Sequence, residues 1–239
     1  MQDSIRKQLI DWAVTYNDPV YFEEDPISFP RHFHQLMDCG KADLRDIEIS
    51  AVFSAHLAWG RRCMIVRDCR RLFDQMDWKP YDYIMKGVWR SGPDSAHRTV
   101  RWDDVAAICR RLRDWYLEHS SLEKLDVEGL RRCIFGQKDD PSAANKKIHM
   151  MRRWMARRDG KVDLGLWKDT STESLVIPLD VHSHRMAVEL GLTGRRQKDI
   201  RTAMEITDCF RDIFPGDPCL GDFALFGYGV THPKVQSDA

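Results

Sequence analysis

A lone carboxylate followed by imidazoles and a guanidinium marks the stretch of this chain best suited to chemistry. In Leu175-Val-Ile-Pro178-Leu-Asp180-Val-His182-Ser-His184-Arg185 a short apolar run ends at Pro178, and Asp180 stands at the mouth of a helix that closes at Leu190-Gly191-Leu192. Three roles fit an aspartate there. It can cap the helix, accepting backbone N–H groups two or three residues on. It can be a catalytic carboxylate, because capping holds it rigidly at the helix terminus while one edge still faces a cleft. It can also join His182 and His184 as a metal ligand, if Asp-x-His-x-His is extended. Residues two apart on a helix point in different directions. The Met186, Ala187, Leu190 spacing and the Gly191 stop favour helix, so no metal is expected. His32-Phe-His34 has the same weakness.

A second concentration lies earlier. From Asn145 the chain reads as a helix with Ile148, Met151, Trp154 and Met155 as its apolar stripe. Lys146, Lys147, Arg152, Arg153, Arg157 and Arg158 supply six cations before the first acid, Asp159. Such a helix is either a solvated face or a contact for a phosphate backbone. The positive helix terminus and adjacent cations disfavour the ammonium form of a lysine placed at its start, which is one route to a lysine nucleophile. Lys146 fits that description, and so does Lys147. A further cluster, Arg61, Arg62, Arg67, Arg70 and Arg71, reads as structural or solvated. Tyr16, Phe29, Trp59 and Trp89 lie near breaks and could line a pocket for a flat ligand, although core packing is the simpler reading of each.

The elements that must position these groups are helical. Apolar residues at spacings of three and four predict helices over 4–16, from an Asp43 cap through Ala58, across Ile65–Met76, over 80–90, and after an Asp103 cap. Further helices are predicted over 143–158, 181–190, 198–213 and 218–228. Tyr16-Asn-Asp-Pro19 opens a loop rich in Pro and aromatics through Phe29-Pro30. The only strand-like segment is 174–179, too short to anchor a sheet. The fold class expected is all-α. Loops near 40 and near 137 offer crossings between two lobes, and the last few residues are expected to fray.

Bulk properties narrow the function classes. Lys plus Arg number 37 and Asp plus Glu number 37, a balance that neither points to a tail wrapping nucleic acid nor excludes a basic patch on one face. Seven cysteines with no C-x-x-C pair suit a reduced, cytoplasmic protein. The first residues lack the apolar core of a signal peptide, and no apolar run approaches the ~18 residues that span a bilayer, so no membrane partner is expected.

Asp180-Val-His182-Ser-His-Arg185-Met-Ala-Val-Glu-Leu-Gly-Leu192 resembles the aspartate segment of the helix-hairpin-helix base-excision DNA glycosylases, whose pattern is an apolar run, V-D-x-H-x-x-R-apolar and a leucine-glycine-leucine-like close. The resemblance implies that Asp180 is catalytic, with His182 and Arg185 as supporting motif residues. It also implies two helical lobes gripping nucleic acid between them, here about 1–40 with 137–239 and about 41–136. Over nearly its full length the chain resembles an uncharacterised bacterial family. The segments carrying that likeness are Tyr16-Asn-Asp-Pro19, Leu57-Ala-Trp-Gly-Arg61, Lys146-Lys147 with Arg153-Trp-Met155, Asp163-Leu-Gly-Leu-Trp167 and Phe223-Ala-Leu-Phe-Gly227. Three departures from the glycosylases stand out. The Leu-Pro-Gly-x-Gly hairpin is absent, with Phe135-Gly136-Gln-Lys-Asp a degenerate stand-in. An extra stretch, 159–173, separates Lys146 from Asp180, as in the archaeal 8-oxoguanine branch. The downstream iron–sulfur cysteines of one branch are missing.

The function these readings imply is a monomeric, DNA glycosylase-like protein, with or without lyase activity, acting on an oxidised or otherwise damaged base flipped from the stack. Lys146 would attack the sugar C1′, and Asp180 would stabilise the developing positive charge. Lys147, Arg152, Arg153 and Arg157 would hold flanking phosphates, Trp59 would stack on the base, and no cofactor is needed. Two alternatives stay open: a non-catalytic nucleic-acid-binding or interaction protein that keeps the fold, and a metal-dependent hydrolase using Asp180, His182 and His184.

Overall fold

Local capping and amphipathic spacing produce most of the expected helices. A computed structural model describes residues 3–232; the terminal residues expected to fray lie outside them. The helices are α1 (Asp3–Tyr16), α2 (Ser28–Asp38), α3 (Leu44–Leu57), α4 (Arg62–Gln75), α5 (Pro80–Lys86), α6 (Trp102–Tyr116), α7 (Val127–Gly129, continued by a π-helical turn over Leu130–Ile134), α8 (Lys146–Ala156), α9 (Val181–Glu189), α10 (Ile200–Ile213) and α11 (Leu220–Thr231). The fold is mostly helical. A small antiparallel hairpin, β1 (Ser95–His97) with β2 (Val100–Arg101), precedes α6. No helix among the described residues is long and apolar enough to cross a membrane.

Three of the helix entrances show why the starts are legible. Asp43 accepts Arg45 N at 2.7 Å while Asp46 reaches back to Asp43 N at 3.0 Å, a reciprocal capping box. Asp199 accepts Thr202 N at 2.9 Å ahead of α10. Asp180 caps α9. That helix ends as its sequence suggests, in a left-handed Gly191 (φ +69°) with Leu192 N donating to Ala187 O at 2.8 Å, the paired closure of a Schellman turn.

Elsewhere the reading needs correction. Residues 174–179 form no strand. The segment runs extended into the α9 cap with Leu175, Val176, Ile177 and Leu179 buried, and Ile177 N donates to Thr207 Oγ1 rather than to a ladder. The loop expected through Phe29-Pro30 is instead the start of α2, because proline is tolerated in a first helical turn, where N–H groups have no intrahelical acceptor. Asp103 does not cap α6. Asp104 accepts Arg101 N, and Asp103 accepts Gly92 N to close the preceding loop. Helix α5 stops at Lys86, short of residue 90, because Gly87 takes the left-handed conformation.

Helix α3 is buried on nearly every face and packs against α2, α4, α5 and α8. Its Glu48 carboxylate lies in the core and accepts from Tyr116 Oη, Ser121 Oγ, Leu122 N and Trp167 Nε1. Those four donors replace the water a buried carboxylate requires. Through Trp167 they also tie the 159–173 stretch to the middle of the molecule. Helix α11 lies directly on α1 and α10: a Cβ at Gly227 would overlap the Tyr16 ring, and one at Gly221 the Phe210 ring.

Candidate active site

The amino end of α8 is open. Its cap position, Asn145, adopts the left-handed conformation (φ +47°) and makes no side-chain cap, a geometry asparagine tolerates better than most residues. Asn145 Oδ1 instead accepts Arg131 Nη1 at 2.7 Å, and Arg131 Nε donates to Lys138 O. The 137–145 loop is pinned to α10 through Ile200 N and Ser142 O at 3.0 Å. The first turn of α8 therefore presents its lysines, beside uncapped N–H groups, to a cavity of about 720 Å³.

A second chamber of about 400 Å³ adjoins the first, and Asp25, Arg62, Lys146, Met150, Asp180 and His182 line both. The outer chamber adds Trp59, Arg131, Phe135, Lys147 and Lys198 to its wall; the inner one adds Phe22, Phe226, Arg153 and Asp222. The outer wall thus carries five cations, Arg62, Arg131, Lys146, Lys147 and Lys198, against two carboxylates, Asp25 and Asp180. That is the imbalance an anionic ligand requires.

Asp180 both caps and faces the cavity. Its Oδ1 accepts His182 N at 2.8 Å and Ser183 N at 2.9 Å, while its side chain lines the two chambers. Lys146 Nζ donates to Ala58 O at 2.9 Å. The turn supplying that carbonyl, Ala58-Trp59-Gly60, is held from behind: His97 Nε2 meets Trp59 O at 3.0 Å, and His97 Nδ1 meets Asp68 Oδ2 at 2.7 Å. The Trp59 ring packs edge-on against His97, with the Arg98 guanidinium 4.7 Å from its centroid.

Two carboxyls in the inner chamber are shifted by burial. Asp222 is pushed up to about 6 although Arg153 opposes the shift, and the nearby Asp180 adds to it. Asp25 is raised by the same desolvation, against Arg62, which approaches to 3.6 Å. Lys147 moves the other way, drawn down to about 8 by burial first and by the adjacent Lys146 second.

The family model described as Protein of unknown function (DUF2400) matches residues 25–133 and 128–231. The chain belongs to this family. No curated protein and no solved structure matches it. The matched DUF2400 segments run from Asp25 to the end of α11 and so take in every residue named on the cavity wall except Phe22.

Within this DUF2400 chain the expected site residues separate into two groups. Lys146, Lys147, Asp180, His182 and Trp59 come together on the cavity. The rest of the basic helix does not present a phosphate-binding face. Arg157 is 1 % exposed and pairs with Asp159, Asp163 and Asp217; Arg153 is 5 % exposed and pairs with Asp163 and Asp222. Burial takes Arg157 out of the flanking-phosphate role expected for it, whereas Arg153, although ion-paired, lines the inner chamber, and neither forms a solvated face. Arg152 is half-buried, donates to Leu125 O at 3.1 Å and lies off the cavity wall. Arg185 pairs with Glu189 along α9, and His184 Nε2 is engaged with Arg195 O. No group of three His, Cys, Asp or Glu side chains among the described residues is arranged to hold a metal ion.

Sequence reasoning missed Asp25, Asp222, Arg62, Arg131 and Lys198 as wall residues. Asp25 follows two other acids in a loop, and Asp222 sits in the first turn of α11, where an acid is an ordinary helix-dipole partner. Arg131 stands on a π-helical turn, a geometry that concentrates at functional sites and that no sequence spacing announces.

Proposed function

We propose that this protein is a monomeric, cytoplasmic, DNA base-excision glycosylase-like enzyme. It would act on an oxidised or otherwise damaged base and carry lyase activity through a cavity lysine. In this reading the cavity is the cleft between two helical lobes, about 1–40 with 137–239 and about 41–136. The observation that carries it is the meeting of Lys146 and Asp180, from two helices separated by the long 159–173 stretch, on one cavity wall.

The chemistry follows from the groups present. A flipped nucleotide would place its base in the inner chamber, against the contacting Phe22 and Phe226 rings that line it, with Trp59 on the outer wall as a stacking surface. As the bond from C1′ to the base breaks, positive charge develops on the sugar, and the Asp180 carboxylate stabilises it. The resemblance points to Lys146 as the attacking amine, with Lys147 beside it on the same wall, and Asp180 accepts the proton of the attacking lysine. Arg62, Arg131, Lys147 and Lys198 supply the positive wall against which DNA phosphates rest.

The test is incubation with duplexes carrying 8-oxoguanine and a panel of other lesions, with and without borohydride. Base release and a trapped protein–DNA adduct are expected, both lost in Asp180→Asn. Absence of release and adduct across the panel, with binding to undamaged DNA that survives Asp180→Asn, would select a non-catalytic binding protein instead. Binding should weaken steeply with salt; a flat response removes the DNA reading.

A further inference from the structure

We propose that Lys147, rather than its neighbour Lys146, is the imine-forming amine of this cavity, taking an aldehyde of the class presented by the ring-opened sugar of an abasic nucleotide. The sugar part of that statement rests on the glycosylase reading; the amine does not.

The two lysines are adjacent in sequence and differ in what holds them. Lys146 Nζ is engaged with Ala58 O, and its charge reaches the buried carboxyls of Asp25 and Asp222. Lys147 is half-buried on the outer wall and makes no hydrogen bond or ion pair among the described residues. It sits in the first turn of α8, where the uncapped helix terminus disfavours added positive charge. The charged and titratable groups around it work the same way. Lys146 on its own helix repels its ammonium. Arg131 and Lys198 share the cavity wall.

On the α3 side stands His56, whose ring stacks on Phe135 at 5.7 Å and whose buried Nδ1 has no partner. Burial first, and Lys147 second, push His56 down to about 3, so it contributes no negative or positive charge near neutrality. The wall's carboxylates, Asp25 and Asp180, are taken up by Arg62 and by the α9 cap respectively. With its ammonium drawn down to about 8, Lys147 has a substantial neutral fraction at neutral pH.

The step balances without any redox partner. The Lys147 nitrogen lone pair adds to the aldehyde carbon, and the carbonyl π pair moves to oxygen, which takes a proton to give a carbinolamine. The nitrogen loses its protons as the hydroxyl leaves as water, forming the C=N bond. Amine plus aldehyde becomes imine plus one water, and added borohydride reduces that imine to a stable secondary amine.

The test uses the full chain and two aldehydes. Pyridoxal 5′-phosphate, an aldehyde whose phosphate suits the cationic wall, is added with borohydride between pH 6 and 10, and fragment-ion mass spectrometry locates the label. The expected result is labelling at Lys147 in preference to exposed lysines, by about tenfold or more at pH 7.5, because an ordinary lysine is almost wholly ammonium there. Its midpoint should fall near pH 8, and in Lys146→Met it should move to higher pH as the neighbouring charge is removed. Lys147→Arg, which keeps charge and stem, should lose the label. Label on Lys146 in wild type, or label spread over surface lysines with no low-pH component, overturns the proposal. In the second arm, a duplex with an abasic site should be trapped by wild type and not by Lys147→Arg. Pyridoxal labelling at Lys147 without any DNA adduct would keep the amine and remove the glycosylase reading.

Discussion

The two ends of helix α8 carry the same kind of residue and meet opposite fates. At the amino end, Lys146 and Lys147 open onto a cavity whose charged groups are mostly cationic. At the carboxyl end, Arg153 and Arg157 are buried in the molecule and surrounded by Asp159, Asp163, Asp217 and Asp222. Positive charge along one helix therefore says little about what it touches. The acids that decide the matter come from the 159–173 stretch, the loop before α11 and the first turn of α11. That stretch also hydrogen-bonds its backbone to the end of α8, Leu164 N to Trp154 O at 2.7 Å and Trp167 N to Met155 O at 2.8 Å. One end is an anchor, and its rigidity fixes where the lysines of the other end stand.

The difference can be broken by substitution. Arg157→Leu should be the most damaging change, destabilising by about 3–5 kcal/mol because it leaves buried carboxylates without their partner, as read by urea unfolding. A loss under 1 kcal/mol would mean the network is not an anchor. Next comes Asp222, whose carboxyl titrates near 6 and is followed by carbon NMR of labelled aspartate. A raised carboxyl contributes stability that is present below the unfolded value near 4 and is lost as pH rises through 6. Asp222 should therefore contribute a fall of up to about 3 kcal/mol between those limits, a share that Asp222→Asn removes from the pH profile. A midpoint near 4 would show that Arg153 holds the carboxylate ionised.

Trp167→Phe keeps an aromatic side chain but deletes the indole donor to Glu48, worth about 1.5–3 kcal/mol for a hydrogen bond to a buried charge, and adds a cavity cost because the indole is fully buried. It tests whether the 159–173 stretch holds the anchored end. Asp180→Ala loses the α9 cap at about 1 kcal/mol, whereas Asp180→Asn keeps most of the capping and should cost a few tenths. If only the alanine variant abolishes base release, Asp180 is a cap and nothing more. Smallest of all, Lys147→Ala should stay within about 0.5 kcal/mol of wild type; a larger loss would place that lysine in the anchor rather than on the cavity.

What the sequence made legible was local. Asp43, Asp180 and Gly191 announce helix ends because their partners lie within a few residues, and the apolar spacing of α3 and α10 needs no knowledge of the rest of the chain. The juxtaposition of Lys146 with Asp180 on one wall was reachable through a matched motif, since spacing alone gives no distance between two helices. The burial of Arg153 and Arg157 was not legible, because the carboxylates that neutralise them lie up to 69 residues away. Asp25 and Asp222 were hidden for the complementary reason. Each looks like an ordinary loop or helix-start acid until the fold buries it. The β1–β2 hairpin was missed because it is too short for alternation to show.

In our proposal the open end of α8 carries a reactive amine, Lys147, facing a cavity that takes DNA. The most direct test is borohydride trapping of the purified protein on a duplex containing a single abasic site. One covalent adduct per chain is expected, located by fragment-ion mass spectrometry on Lys147 and lost at high salt. A folded protein that binds the duplex but yields no adduct, or one linked through a lysine off the cavity, would contradict it.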